Sequence, residues 1–227
     1  MQSIPSSVFD FLNELRENNN RPWFNENKGR YQAANEQIKA FGNELLNQMS
    51  HIDNIEAIKL FRIYRDVRFS KNKSPYKVSF SGSLKRATKW LRGGYYFHIE
   101  PGASVVAGGF WNPNSPDLKR IREDIAADDK PLREIINDAT FKATFGSLYG
   151  EGVKTAPKGY SKDHPAIDLI RMKQFLVKRD FTDEQVLGPN FMKEIVRTFQ
   201  NMHPFFTYMS EVLTTDSNGA PLWPKDN

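Results

Sequence analysis

Ten lysine and arginine side chains stand between Arg62 and Arg92 (Arg62, Arg65, Arg68, Lys71, Lys73, Lys77, Lys85, Arg86, Lys89 and Arg92), against the single acid Asp66. The local balance of +9 exceeds the formal +5 of the whole chain, so the remaining residues sum to −4. Concentrated positive charge of this kind suits phosphate or carboxylate groups. A guanidinium is a planar fork that grips either group through paired hydrogen bonds, and tyrosine or serine hydroxyls add neutral donors beside it. The predicted ligand-binding set is therefore Arg62, Tyr64, Arg65, Arg68, Lys73, Tyr76 and Lys77. His98 and Glu100 are two residues apart and point the same way on a strand, which makes them the candidates for proton transfer. Two such side chains do not make a metal site, and no metal is predicted. His164 and Asp168 are a second pair, at i and i+4, but the simpler account is a cap and a carboxylate at a helix start.

The basic segment sits where the hydrophobic period is two. Phe61, Ile63, Val67 and Phe69 would line one side of a strand from Leu60, with Arg62, Tyr64, Asp66 and Arg68 on the other. Arg65 breaks this order, which predicts a bend at Arg65 and Asp66 or a buried partner for the guanidinium. Asn72 to Pro75 is turn chemistry. Further strands follow at Val78–Leu84, Tyr95–Ile99, Ala103–Trp111 and Gln174–Phe181, with Gly108 and Gly109 marking a bulge or a close backbone approach. In antiparallel pairing one face would collect Arg62, Tyr64, Arg68, the serines at 79, 81 and 83, Tyr96, His98 and Glu100, while the apolar face carries the helices. An ordinary solvated face is the alternative.

Those helices are legible at both ends of the chain. Ser6 and Ser7 would cap a short helix carrying Val8, Phe11, Leu12 and Leu15, which runs out at Asn18, Asn19 and Asn20. Tyr31, Ala34, Ile38, Phe41, Leu45 and Met49 step by 3, 4, 3, 4 and 4, a long amphipathic helix in which Gly42 costs about 1 kcal/mol relative to alanine. Asp117–Ala126 and Pro131–Asn137 read as helices, Gly146–Gly159 as a loop, and His164 as a cap before Ala166–Ile170. Phe191, Ile195, Phe199, Met202, Phe206, Met209 and Leu213 predict a terminal helix kinked at Pro204, followed by a frayed tail after about Asp216. The expected fold class is α+β: a single domain, 1–227, with a mainly antiparallel sheet of about five strands packed on one face by long amphipathic helices.

The bulk numbers agree with a packed core, since 39% of the 227 residues are hydrophobic and 13% aromatic. Cysteine is absent, which excludes disulfides, thiol catalysis and thiolate metal sites and fits a reducing compartment. The first residues have no basic lead-in to an apolar run, and no stretch approaches about eighteen uninterrupted apolar residues, so neither a secretory signal nor a membrane span is expected. The standard glycine-rich phosphate loops, H-E-x-x-H and G-x-S-x-G are all missing, and no cofactor is indicated.

The run FRIYRDVRFSKNKSPYK, Phe61 to Lys77, resembles a family catalogued as domain of unknown function 2461, found in bacteria and fungi. FLNELRENNNRPWFNENKGRY near the start, GYYFHIEPG from Gly94, FWNP from Phe110 and KGYSKDHPAIDLIRMKQF from Lys158 match its pattern in order. The resemblance implies a single cytosolic α+β domain and brings no established activity, cofactor or catalytic residue. By position alone it adds Trp23, Trp111, Tyr160, His164 and Lys173 to the residues of interest.

The leading expectation is a cytoplasmic protein that binds a phosphate- or carboxylate-bearing small molecule in an Arg/Tyr/Lys-lined pocket. If it is an enzyme, Glu100 or His98 would move the proton. The rival is a nucleic-acid-binding protein whose basic 62–92 segment tracks the backbone, with Tyr64, Tyr76 or Trp90 stacking on bases. A scaffold that meets an acidic partner protein is a third class. The oligomeric state is left open.

Overall fold

A computed structural model of the chain describes residues 3–216 and 218–223. In chain order the first elements are α1 (Ser6–Glu17), α2 (Arg21–Glu26), α3 (Lys28–Ser50), β1 (Ile55–Leu60), β2 (Phe80–Arg86), β3 (Gly94–Ile99) and β4 (Ser104–Phe110). They are followed by α4 (Ser115–Ala127), α5 (Lys130–Asn137), α6 (Ala139–Phe145), α7 (Ile167–Ile170), β5 (Phe175–Phe181), α8 (Asp183–Leu187), α9 (Phe191–Gln200) and α10 (His203–Thr214). The strands form one antiparallel sheet in the order β1-β2-β3-β4-β5, and the class is α+β. Strands that follow one another in the chain are neighbours in the sheet: Pro101-Gly102 links β3 to β4 directly, the loop 61–79 links β1 to β2, and α4 to α7 lie between β4 and β5.

The residues fall into two compact units: one holds the chain up to Lys85 with Tyr96–Val106 and Asp180–Arg197, and the other Arg86–Tyr95, Ala107–Arg179 and the chain from Thr198 on. Neither is a continuous stretch, so no linker is visible along the sequence.

In the first unit α1 and α3 bury the stripes that their periodicity marks: Val8, Phe11, Leu12 and Leu15 in one, and Ala34, Ile38, Phe41, Leu45 and Met49 in the other. Pro5 rather than a serine holds the N-cap of α1, which puts Ser6 and Ser7 in its first turn. Gly42 has a packing reason: a Cβ there would stand 3.2 Å from Ile58 Cδ1 and 3.3 Å from Leu60 Cδ2, so a bare backbone lets α3 approach β1. Phe41 completes this core against Phe97 of β3 and Phe191 of α9.

In the second unit α10 buries Phe205, Phe206, Met209 and Leu213, and Phe206 meets Tyr95 and Phe110. Gly109, at φ +126°, lies where a Cβ would come 2.3 Å from the Phe175 carbonyl, the close approach that the glycine pair predicts. Arg86 is buried here too, its guanidinium donating to the Arg92 carbonyl at 2.7 Å and packed 5.3 Å from the Phe206 ring centre.

Three expectations are corrected. Strand β1 ends at Leu60, and Phe61–Phe69 is not a strand. Asp66 Oδ1 accepts the Arg68 N–H, a local turn that competes with ladder pairing, and Pro75 on the returning limb has no N–H to give. Only Tyr64 and Tyr76 pair, as a lone antiparallel bridge flanked by Arg65 N–H to Pro75 O and Lys77 N–H to Ile63 O. Phe61 consequently lies beside Tyr96, Lys59 and Lys77, the reverse of the face that the alternation gives it.

The terminal helix is two helices, with a break at Asn201–Met202 and Pro204 in the first turn of α10, where a missing N–H costs nothing. Residues 218–223 are not frayed: Thr215 bridges Pro221, and the Leu222 N–H bonds to the Thr214 carbonyl. The rest of the predicted frayed tail, residues 217 and 224–227, lies outside the described residues.

Candidate functional site

The loop that carries the arginines, residues 61–79, is anchored to the helices of the first unit by a tyrosine and an asparagine. The buried Tyr76 ring stacks on Phe24 of α2 at 3.9 Å between centroids and 11° between planes. Asn19 pairs with the same residue as a strand would, accepting the Tyr76 N–H and donating to its carbonyl, both at 3.1 Å. Its neighbours are also committed: Asn18 donates to the Glu14 carbonyl, and Asn20 caps α2 by accepting the Trp23 N–H. The Asn18–Asn20 run is thus a joint in which each amide holds a different piece of backbone.

Within the loop the cations meet different fates. Arg68 grips Asp66 with Nε to Oδ1 at 2.9 Å and Nη2 to Oδ2 at 2.6 Å, and that hydrogen bonding holds the Asp66 carboxyl below its ordinary range. Lys73 Nζ donates to the Val67 carbonyl at 3.0 Å and closes the loop from inside. Half-buried Arg65 donates to the Ser74 carbonyl and to Ser70 Oγ, both at 3.3 Å, two neutral oxygens in place of a carboxylate. Lys77 Nζ lies 5.6 Å from the Phe61 ring centre; burial, and then the charge of Arg62, push its ammonium below the usual lysine value.

Arg65, Lys77 and Arg16 come together around a recess of about 440 Å³. Asn72 and Ser74 line it from the loop, Tyr76, Val78 and Ser79 from the limb running into β2, Asn19 from the turn after α1, and Glu100 from the end of β3. Three cations therefore face one carboxylate, and that carboxylate is already shared. Arg16 Nη2 stands 3.3 Å from Glu100 Oε1 and donates to the Pro101 carbonyl at 3.0 Å. On the other side His98 Nε2 is 2.7 Å from Glu100 Oε2, and Tyr96 Oη is 3.2 Å from His98 Nδ1. A carboxylate only accepts, so His98 Nε2 is the donor to Glu100; with a proton on that nitrogen alone, Nδ1 accepts the hydrogen bond of the Tyr96 hydroxyl. The row Tyr96, His98, Glu100 and Arg16 is a hydrogen-bonded chain whose acidic member opens onto the recess.

Of the predicted site residues, the recess gathers Arg65, Tyr76, Lys77 and Glu100, with His98 directly behind Glu100. Arg62, Tyr64, Arg68 and Lys73 lie in the same loop but do not line it. Tyr64 leans on Phe24 and Tyr76, and Arg68 is occupied by Asp66. The later half of the basic segment is spent elsewhere: Lys85 pairs with Glu56, Arg92 with Asp117, and Arg86 is internal. Arg16 and Asn19 are not anticipated from the sequence, whereas Ser79 is, as one of the serines expected on the face of His98 and Glu100. Arg16 looks like any exposed helix cation, and the only signal for Asn19 is three consecutive asparagines, more than a turn requires.

His164 and Asp168 do not work as a pair. His164 Nδ1 accepts the Ala166 N–H, whereas Asp168 is bound by Arg133 at 2.8 Å. Arg133 also takes Asp129 at 2.5 Å. Although burial alone would raise it, the Asp168 carboxyl stays below its ordinary 3.8 because Arg133 hydrogen-bonds to it. Among the residues singled out by position, Trp23 stacks on Phe11, Lys173 pairs with Glu151, and Trp111 is exposed.

The fold and the recess define an α+β protein with an antiparallel meander and a cation-lined hollow beside its third strand. A family model matches residues 7–208, and the chain belongs to that family, described as Conserved hypothetical protein (DUF2461). No curated protein and no solved structure matches the chain. Among the described residues no helix is long and apolar enough to cross a membrane.

Proposed function

We propose that the protein binds a small phosphate- or carboxylate-bearing molecule in the recess formed by Arg16, Arg65 and Lys77. The observation that carries this reading is the state of Arg65: a half-buried guanidinium whose hydrogen bonds go to a serine hydroxyl and a backbone carbonyl, with no carboxylate among the described residues paired to it. A charge held partly out of water without a counter-ion costs free energy that an arriving anion returns as affinity. Ser79 and Asn19 add neutral polar groups, and the size of the recess suits a small molecule. Proton transfer is the chemistry that the Tyr96, His98 and Glu100 row can add, with Glu100 as the group that meets the ligand and His98 fixing its orientation. A cytoplasmic setting goes with this reading, because phosphorylated and carboxylated metabolites are abundant there and the chain has no thiols. Backbone tracking along a nucleic acid is the weaker reading, since Arg68, Lys85 and Arg92 are each paired with a carboxylate.

The test is a thermal-shift titration of the full chain with phosphate, pyrophosphate and citrate at two ionic strengths. Saturable stabilisation that survives the higher salt and, in Arg65→Ala, needs about 10- to 100-fold more ligand is expected. Equal shifts in the wild type and in Arg65→Ala would remove the proposal.

A further inference from the structure

We infer that the anion taken by this recess also carries a planar aromatic group that stacks on Phe69, so that the ligand is of the mononucleotide class. The inference rests on the anion-binding reading above and adds the other end of the ligand. Phe69 is 97% exposed, a large apolar ring that folding leaves in water. It is not on a slack loop. On its N-terminal side Asp66 accepts the Arg68 N–H and Lys73 Nζ holds the Val67 carbonyl; on its C-terminal side Asn72 accepts the Ser74 N–H and Ser70 Oγ is held by Arg65. The chain thus braces its backbone on both sides of a ring that stays bare to solvent.

The link to the recess is covalent and short. Ser70, the residue after Phe69, accepts from Arg65, and Arg65 lines the recess. One residue and one hydrogen bond separate the ring from a cation of the hollow. Arg68 lies 5.9 Å from the Phe69 ring centre, and exposed Lys71 and Lys73 follow it in the loop. A solvent-facing aromatic ring flanked by cations is a stacking platform, which accepts any base because every base offers a π-face. With phosphate in the recess and base on the ring, the ligand would engage both features of one loop. The size of the hollow favours a single nucleotide over a strand.

Calorimetric titration of the full chain with inorganic phosphate, ribose 5-phosphate, adenosine monophosphate and a short single-stranded oligonucleotide at two salt concentrations tests this. Adenosine monophosphate should bind about tenfold or more tightly than ribose 5-phosphate. Phe69→Ala should erase that gap while leaving ribose 5-phosphate binding unchanged, and Phe69→Trp should keep it; an exposed side chain can be exchanged without loss of the fold. Equal affinities for the two phosphates in the wild type, or a gap that survives Phe69→Ala, overturns the inference and leaves the anion site standing. Affinity that grows with oligonucleotide length and collapses with salt overturns it in favour of backbone binding. No binding by any phosphate overturns this inference, and if citrate also fails to bind, the anion site falls with it.

Discussion

Arg65 and Arg133 are both half-buried arginines in helix-and-loop surroundings, yet their neighbours differ in one respect. Arg133 lies between two carboxylates, Asp168 and Asp129, whose hydrogen bonds and negative charges raise its pKa above the ordinary arginine value. Arg65 meets a hydroxyl and a carbonyl. The first guanidinium is satisfied by carboxylates of its own chain and ties α5 to α7; the second is oriented by neutral oxygens, with no carboxylate among the described residues paired to it. A concentration of basic residues therefore says little about binding until the carboxylates that reach it are known. Within the basic segment the same distinction separates Arg65 and Lys77 from Arg68, Lys85 and Arg92.

The largest effect is expected from Phe24→Ala, which removes a buried ring from beneath Tyr76 and should cost about 3–5 kcal/mol in chemical denaturation. It should also raise amide exchange selectively in residues 61–79, the loop it anchors. Arg65→Ala should weaken anion binding by about 10- to 100-fold, as expected for a charge-assisted hydrogen bond, with a smaller change in stability. Arg133→Gln should do the opposite: binding unchanged, and a loss of about 1 kcal/mol in denaturant melts, since the pairs are partly exposed. If Arg133→Gln abolished binding or Arg65→Ala proved as destabilising as Phe24→Ala, the distinction between the two arginines would be wrong.

Two pH effects sharpen it further. The Asp168 carboxyl has a folded pKa below its ordinary 3.8, so its contribution to stability is fully present above that value and is lost as the pH falls through the lower folded one. Asp168→Asn should flatten the acid limb of the stability curve below about pH 4 and leave the neutral region nearly parallel to the wild type. Lys77 titrates below its ordinary 10.5 because burial and Arg62 disfavour its charge. Anion affinity should therefore begin to fall on the alkaline side before an ordinary lysine would lose its proton, and Lys77→Arg should remove that early fall.

Much of the scaffold was legible because it is written in hydrophobic period. The stripes of α1 and α3, the alternation of β3 and the glycine pair of β4 all follow from spacing alone. The loop at 61–79 was not, because its alternation of apolar and basic residues imitates a strand while Asp66 and Pro75 divert the hydrogen bonds that a strand needs. The break before α10 escaped for a related reason: the apolar steps run on through Pro204, and only the backbone records where one helix stops. In the site, the pair His98 and Glu100 was readable from strand parity. Arg16 and Asn19 were not, since residues 84 and 57 positions from their partners meet through tertiary packing that no local pattern encodes.

The central claim, that Arg65 is held ready for an anion, is most directly tested by following the arginine side-chain Nε–H signals of the isotope-labelled protein during a phosphate titration. Saturable movement of the Arg65 and Arg16 resonances, with those of Arg133 and Arg68 unmoved, is the predicted result. Shifts spread evenly over all exposed arginines, or none that saturate, would contradict it.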